Sequence, residues 1–316
     1  VLRPTETDPT PTGQNPKCIE GQVEFKAVVP QVWLLLDRSG SMTESLGTTS
    51  RWAALGSVLL GDATNPTDRG VVGDFEKSVA FGAVFYTTGA GASGCALDLE
   101  SVALAANNYV YIRQRYNKLS PTGGTPTADS IAATVAVAAS SDLTGGPKIL
   151  VLATDGAPGT CSPRTGSATV EVEKEVEKAF QKKIQTFAVS IATGTDILHM
   201  QRVANIGVGL PADSATPATL YSASSQQQLK DAFSSILTEV PRSCVFELNG
   251  NVERARAGEG TVVLAGQELT YGDADGWLLK QADQVELVGS ACAQIQAGEA
   301  DLDISFPCAV FTPVVK

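Results

Sequence analysis

Oxygen-bearing side chains fall in three short stretches that lie far apart in the chain: Asp37-Arg38-Ser39-Gly40-Ser41-Met42, Thr122-Gly123-Gly124-Thr125-Pro126-Thr127 and Ala153-Thr154-Asp155-Gly156. Carboxylates and hydroxyls without a thiol or imidazole beside them suit small hard cations, which prefer oxygen ligands in an octahedral shell and keep several waters. Asp37, Ser39, Ser41, Thr125 and Asp155 are therefore candidate ligands for Mg²⁺, with Mn²⁺ or Ca²⁺ as substitutes. Helix capping is the plainer alternative, because Asp and Ser at 37, 39 and 41 also suit the start of a helix. Other chemistries lack their residues. His199 is the single histidine and has no accompanying nucleophile or acid pair, so it is expected to pack or face solvent. HExxH, CxxC and GxxxxGK[ST] are all absent, which argues against a zinc hydrolase and a nucleotide-binding loop.

The elements that must position these stretches are legible as apolar runs. Val32 to Leu36 (VWLLL) reads as a parallel strand buried on both faces, delivering Asp37 at its carboxyl end. Val79 to Tyr86, Ile149 to Ala153 and Thr186 to Ile191 repeat the pattern. Helix-length segments separate them: Arg51 to Leu60, Asn107 to Leu119, Thr127 to Ser140 and Val170 to Lys183. On the last, Val172, Val176 and Phe180 are spaced four apart on one face. Asp196 to Ala204 and Gln226 to Val240 continue the alternation, giving an α/β fold with a doubly wound, mostly parallel sheet. In such sheets the ligand crevice lies outside the carboxyl ends of the strands, so all three oxygen-rich stretches belong on one rim.

On these residues the chain resembles the von Willebrand factor A (VWA) and integrin I-like domains, whose metal-ion-dependent adhesion site (MIDAS) is a DxSxS motif completed by a distant Thr and a distant Asp. DRSGSM, GGTPT and LATDG occur in that order over about Val32 to Val240. The resemblance implies a Rossmann-like VWA fold in which Ser39, Ser41 and Thr125 touch the cation directly while Asp37 and Asp155 act largely through water. It implies a protein-binding module for adhesion or assembly, not an enzyme, in which the ion accepts a carboxylate from a partner. It also implies that Asp155 can exchange with Thr125 as direct ligand while the last helix, Gln226 to Val240, moves. Arg38 departs from the small or apolar residue of many animal members and matches bacterial ones; between the ligands it is expected to form a surface salt bridge. Two other readings stay open: a rigid scaffold whose metal only stabilises the fold, and a metal-assisted hydrolase, which lacks a free general base.

Around this unit the texture changes. Val1 to Lys17 is rich in Pro and Thr and reads as a flexible linker, placing the VWA domain at 18–243 and a small β-rich domain at 244–316. Glu20 to Val29 reads as a half-buried strand that could belong to either domain. In the C-terminal part, Cys244 to Asn249, Thr261 to Leu264, Gln267 to Tyr271, Val285 to Val288 and Leu302 to Phe306 read as short strands, with Ala265-Gly266 as a tight turn.

Six widely spaced cysteines favour disulfides and an oxidising compartment. The nearness of the two ends of VWA domains suggests Cys18–Cys244, the shared rim suggests Cys95–Cys161, and Cys292–Cys308 would close a loop in the appendix. A net charge of −11 without basic clusters disfavours nucleic acid. No apolar run reaches the length of a membrane span. The expected location is extracytoplasmic, secreted or at the cell surface, with lipid anchoring ahead of Val1 as one form of attachment.

Overall fold

The computed structural model describes residues 25–27, 29–62, 64–65, 67–89, 96–141, 146–159, 166–191, 196–239, 243–297 and 301–314. The stretch expected to be a linker, Val1 to Lys17, lies outside them. The described residues divide into two compact units, a main one within 29–243 and a second built from Phe25–Ala27 together with the described residues from Cys244 onward.

The main unit is an α/β fold around one six-stranded sheet. Its strands are β1 (Gln31–Asp37), β2 (Ala80–Gly89), β3 (Ala96–Ala105), β4 (Lys148–Thr154), β5 (Ile184–Ile191) and β6 (Tyr221–Ala223), in the spatial order β3-β2-β1-β4-β5-β6. Four neighbouring pairs are parallel, and only β3 runs antiparallel to β2. The helices are α1 (Arg51–Leu60), α2 (Gly70–Phe75), α3 (Tyr109–Tyr116), α4 (Thr127–Ser140), α5 (Ala168–Gln181), α6 (Ile197–Gly207) and α7 (Gln226–Glu239).

The central strand shows why this sequence needs helices on both faces. Every residue of β1 is buried, and successive side chains of a strand point to opposite sides. Val32, Leu34 and Leu36 join a core with Trp52 and Leu55 of α1, Ile112 of α3 and Phe233 of α7. Trp33 and Leu35 join the opposite core with Ile131 and Val135 of α4, Val176 of α5 and Val203 of α6. Each fully buried leucine contributes roughly 1.5–3 kcal/mol relative to an exposed one. The register places Trp33 beside Gly82 of β2, where a Cβ would come within 2.7 Å of the Trp33 ring, so the large indole requires a glycine next to it.

Three of these main-unit elements are absent from the apolar-run reading: the edge strands β3 and β6, the latter only three residues long, and the helix α2. The edge strand β3 (ALDLESVALA) mixes charged and apolar residues, as an edge exposed to water on one side does. The short helix α2 is only six residues long and contains two glycines, too little for a periodic signal.

The second unit is antiparallel. Phe25–Ala27 pairs with Val245–Leu248, so the strand left open between the two domains belongs to this sheet, followed by Gln284–Leu287 and Trp277–Gln281. Thr261–Leu264 is flanked by Gln267–Leu269 and Leu302–Ser305, and Gly250–Val252 pairs with Phe311–Pro313. Ala265 and Gly266 both have positive φ, 48° and 78°, the conformation of a tight two-residue hairpin turn. Fully buried Trp277 packs edge-on against Phe306, with 5.8 Å between ring centroids, in the core of this unit.

The cysteines differ from expectation. Cys244 is bonded to Cys292, with 5.3 Å between Cα atoms, which excludes both Cys18–Cys244 and Cys292–Cys308. The cause is local: the Cys244 carbonyl accepts the amide of Leu287 at 2.8 Å, and the helix Gly289–Ala297 leaves directly from that strand. One turn of this helix carries Cys292 back to Cys244, a span within normal disulfide reach. Cys308 is also disulfide-bonded, while the expected Cys95–Cys161 pair lies outside the described residues.

Candidate metal centre

Asp37 and Asp155 emerge from the same ends of neighbouring parallel strands, since Leu36 pairs with Ala153, Asp37 ends β1 and Asp155 follows the last residue of β4. The chain leaves β1 towards α1 on one face and leaves β4 towards α5 on the other, and the strand order reverses between them. That is the switch point of a doubly wound sheet, where the diverging connections open a crevice.

After Asp37 the chain forms a one-turn 3₁₀ helix over Gly40–Thr43. Ser39 stands at its N-cap position, yet its side chain makes no capping bond; its Oγ lies 3.0 Å from Ser41 Oγ instead. The capping explanation therefore does not account for Ser39. The first long helix of the unit, α1, is capped by Ser50, whose Oγ accepts the Ala53 amide at 3.1 Å.

The second stretch is stitched to the first through backbone. Thr122 donates its amide to the Arg38 carbonyl at 2.8 Å, and Gly40 donates to the Gly123 carbonyl at 3.0 Å. From β2, Thr87 Oγ1 donates to the carbonyls of Thr122 and Gly124, and Thr88 Oγ1 accepts the Gly124 amide at 2.7 Å. Gly123 has φ of +70°, and a Cβ there would lie 2.4 Å from the Thr88 carbonyl oxygen, so this turn needs glycine for both conformation and space. Two residues later Thr125 is delivered to the rim, just ahead of α4.

The third stretch closes the ring. Ser41 Oγ donates to Asp155 Oδ1 at 2.8 Å. A Cβ built on Gly156 would sit 3.7 Å from Ser41 Oγ and 3.9 Å from Thr125 Oγ1, which places these two hydroxyls around one small space. Asp37 is held from both sides, its Oδ2 accepting from Thr154 Oγ1 at 2.6 Å and its Oδ1 from the Ser39 amide at 2.8 Å. Burial pushes the Asp37 carboxyl up to about 6 despite those two hydrogen bonds, and the neighbouring Asp155 charge pushes the same way. The same burial, with the Asp37 charge second, drives the Tyr86 hydroxyl well above its ordinary range.

All five residues singled out by type and spacing thus occupy one rim of the sheet. Among the described residues no group of three or more His, Cys, Asp or Glu side chains gathers as a metal site. The set here has two carboxylates and three hydroxyls, a donor composition that fits a hard cation and suits zinc or copper poorly. Two buried carboxylates close together are costly without positive charge; Arg51 supplies one on the outer side of Asp155, and a cation between the two carboxylates would serve Asp37 as well.

Sequence reasoning missed four contributors. Thr154 orients Asp37 through its hydroxyl, and Thr87 and Thr88 hold the glycine turn. Arg51 is the largest omission: its Nη1 donates to Asp155 Oδ2 at 2.7 Å and to the Ser41 carbonyl at 3.3 Å. Only its position at the start of the first long helix after the DxSxS stretch could have drawn attention to it. Arg38 is buried rather than at the surface, donating to Asp98 Oδ2 of β3 at 2.8 Å and to the Ser120 carbonyl at 3.2 Å. His199 is away from the rim chemistry: it is buried on α6 with Nδ1 3.3 Å from Glu173 Oε1, and burial lowers its pKa below the ordinary value.

No protein-family model matches the chain, and a search of curated proteins gives no match. Among solved structures it is similar to the pilus adhesin SpaC from Lactobacillus rhamnosus GG, at 15% identity and a TM-score of 0.49 over 90% of this chain and 40% of the adhesin. It is similar to the manganese-loaded TRAP protein of Plasmodium vivax, at 12% identity and a TM-score of 0.46, over 68% of this chain and 76% of that one. A third is proximal thread matrix protein 1 from the mussel byssus with a zinc-occupied MIDAS motif, at 14% identity and a TM-score of 0.43, over 67% and 48%. The chain thus spans about 40% of the length of the pilus adhesin it matches. The strand order, the antiparallel edge strand and the rim that gathers DxSxS, Thr125 and Asp155 form a Rossmann-like, doubly wound arrangement of the kind the resemblance to VWA domains implies.

Proposed function

We propose that the main unit is a metal-ion-dependent protein-binding module for adhesion or assembly, and not an enzyme. Ser39, Ser41 and Thr125 would hold a Mg²⁺-class ion directly, and Asp37 and Asp155 would hold it through water. The observation that carries this reading is the meeting of Ser41 Oγ, Thr125 Oγ1 and the Asp155 carboxylate around one small space at the switch point. Bound there, a divalent ion whose nearest ligands are neutral hydroxyls keeps enough positive field to attract an anionic oxygen. The chain's own residues set the site's shape: Thr154 and the Ser39 amide fix Asp37, and the glycine turn fixes Thr125. The partner is accordingly a protein presenting an exposed Asp, Glu or C-terminal carboxylate.

A hydrolytic role has no support in this arrangement. Among the described residues both carboxylates of the set are engaged, Asp37 by Thr154 and Ser39, Asp155 by Ser41 and Arg51, an arrangement that suits holding an ion better than proton transfer. The Cys244–Cys292 disulfide favours an oxidising, extracytoplasmic setting. Among the described residues no helix is long and apolar enough to cross a membrane.

The test uses the immobilised full chain with surface-protein fractions in Mn²⁺. A protein retained in Mn²⁺ is expected to be released by EDTA and displaced by a short peptide with free Asp side chains. Retention that survives EDTA would favour the rigid-scaffold reading instead.

A further inference from the structure

Arg51 sits at the candidate site by construction. It is the first residue of α1, fixed by the Ser50 cap, and its own amide donates to the Glu44 carbonyl at 2.8 Å. Its side chain is 13% exposed and reaches an Asp155 side chain that is fully buried, while its Nη2 lies 2.8 Å from the exposed Glu44 carboxylate. The guanidinium takes Asp155 Oδ2, and Ser41 takes Oδ1, so Arg51 neutralises the carboxylate from the side opposite the hydroxyl.

From this geometry we propose, resting on the metal-binding reading above, that Arg51 is a tethered cation that lowers the site's affinity for its metal and raises the loaded site's affinity for a carboxylate. The argument is a charge count. Among the buried side chains Asp37 and Asp155 offer −2 and Arg51 returns +1, leaving −1; Glu44, 61% exposed, offsets Arg51 only in part because water screens it. A divalent ion then brings the site to +1 with Arg51 in place and to zero without it. The residual positive charge is what an incoming carboxylate meets, and repulsion between guanidinium and ion is what the metal must overcome. In the metal-free protein the same guanidinium keeps the Asp155 carboxylate paired, so the empty site stays formed. Lys at this position would keep the charge while losing the fork that bonds Asp155 and Glu44 at once.

Mn²⁺ titration calorimetry and thermal melting in EDTA test this on the full chain, with Arg51→Gln, Arg51→Lys and Glu44→Gln. Arg51→Gln is expected to bind Mn²⁺ about tenfold or more tightly than wild type, the size of a one-charge effect on a divalent ion at several ångströms even with water-like screening. Its EDTA melting temperature should fall, and Mn²⁺ should recover more of it than in wild type. Arg51→Lys should stay within about threefold of wild type, and Glu44→Gln, which unmasks the Arg51 charge at an exposed position, should bind more weakly. Equal or weaker binding by Arg51→Gln while wild type binds would overturn the tethered-cation role alone, as would tighter binding by Glu44→Gln. No uptake by wild type or by Arg51→Gln at millimolar Mn²⁺ would overturn the metal site beneath it.

Discussion

Asp155→Ala should weaken Mn²⁺ binding at least a hundredfold and destabilise the metal-free protein by about 3 kcal/mol, the lower end for breaking a buried ion pair. Two separate effects combine. The metal loses one of two carboxylates that offset its charge, and Ser41 Oγ loses the acceptor that fixes it 2.8 Å away. Loss of the fully buried carboxylate also leaves the Arg51 guanidinium, among the described residues, with Glu44 and the Ser41 carbonyl as its partners. The lower figure applies because Glu44 still pairs with Arg51. Calorimetry measures the first effect and urea denaturation in EDTA the second. A variant that keeps wild-type Mn²⁺ affinity would show that Asp155 has no part in holding the ion.

The second large effect belongs to the other unit. Replacing Cys244 and Cys292 by Ser together removes a cross-link closing 48 residues, which loop-closure entropy values at about 4 kcal/mol. For a unit of this size that corresponds to a fall of more than about 15 °C in its melting transition. Differential scanning calorimetry reads it directly, and a shift below about 3 °C would show that the antiparallel core around Trp277 carries this unit without the bridge. The span between the two cysteines also explains why the pairing was not legible: the Leu287 amide on the Cys244 carbonyl brings them together, and no spacing rule encodes that contact.

What could be read from sequence followed from how each residue is constrained. β1 is buried on both faces, so an unbroken apolar run was the only composition that fits it, and the run marked Asp37 at its end. The GGTPT stretch was legible through the motif order ahead of a helix, whereas the glycine turn that delivers Thr125, forced at Gly123 by its positive φ and by Thr88, was not. Alternation and a two-residue turn likewise betrayed the hairpin at Thr261–Leu269. β3 was not legible, because an edge strand with one wet face tolerates Asp98 and Glu100, and its partner relationship to β2 is antiparallel in an otherwise parallel sheet. Trp277–Gln281 was missed because WLLKQ is short and its register is interrupted at Lys280.

The site divides in the same way. Residues whose type alone suits the chemistry, the five oxygen donors, could be named in advance. Residues that act on those donors through a hydrogen bond could not: Thr154 is an ordinary strand-end threonine until it donates to Asp37, and Arg51 an ordinary first-turn arginine until it meets Asp155. Arg38 makes the same point, since its neighbours in sequence are candidate ligands while its side chain reaches away to Asp98.

The central claim is that three distant stretches converge on one divalent ion. Anomalous diffraction from a crystal of the full chain grown with Mn²⁺ should give a single strong peak bounded by Ser39 Oγ, Ser41 Oγ and Thr125 Oγ1. A peak elsewhere in the chain, or an empty rim at saturating Mn²⁺, would contradict it.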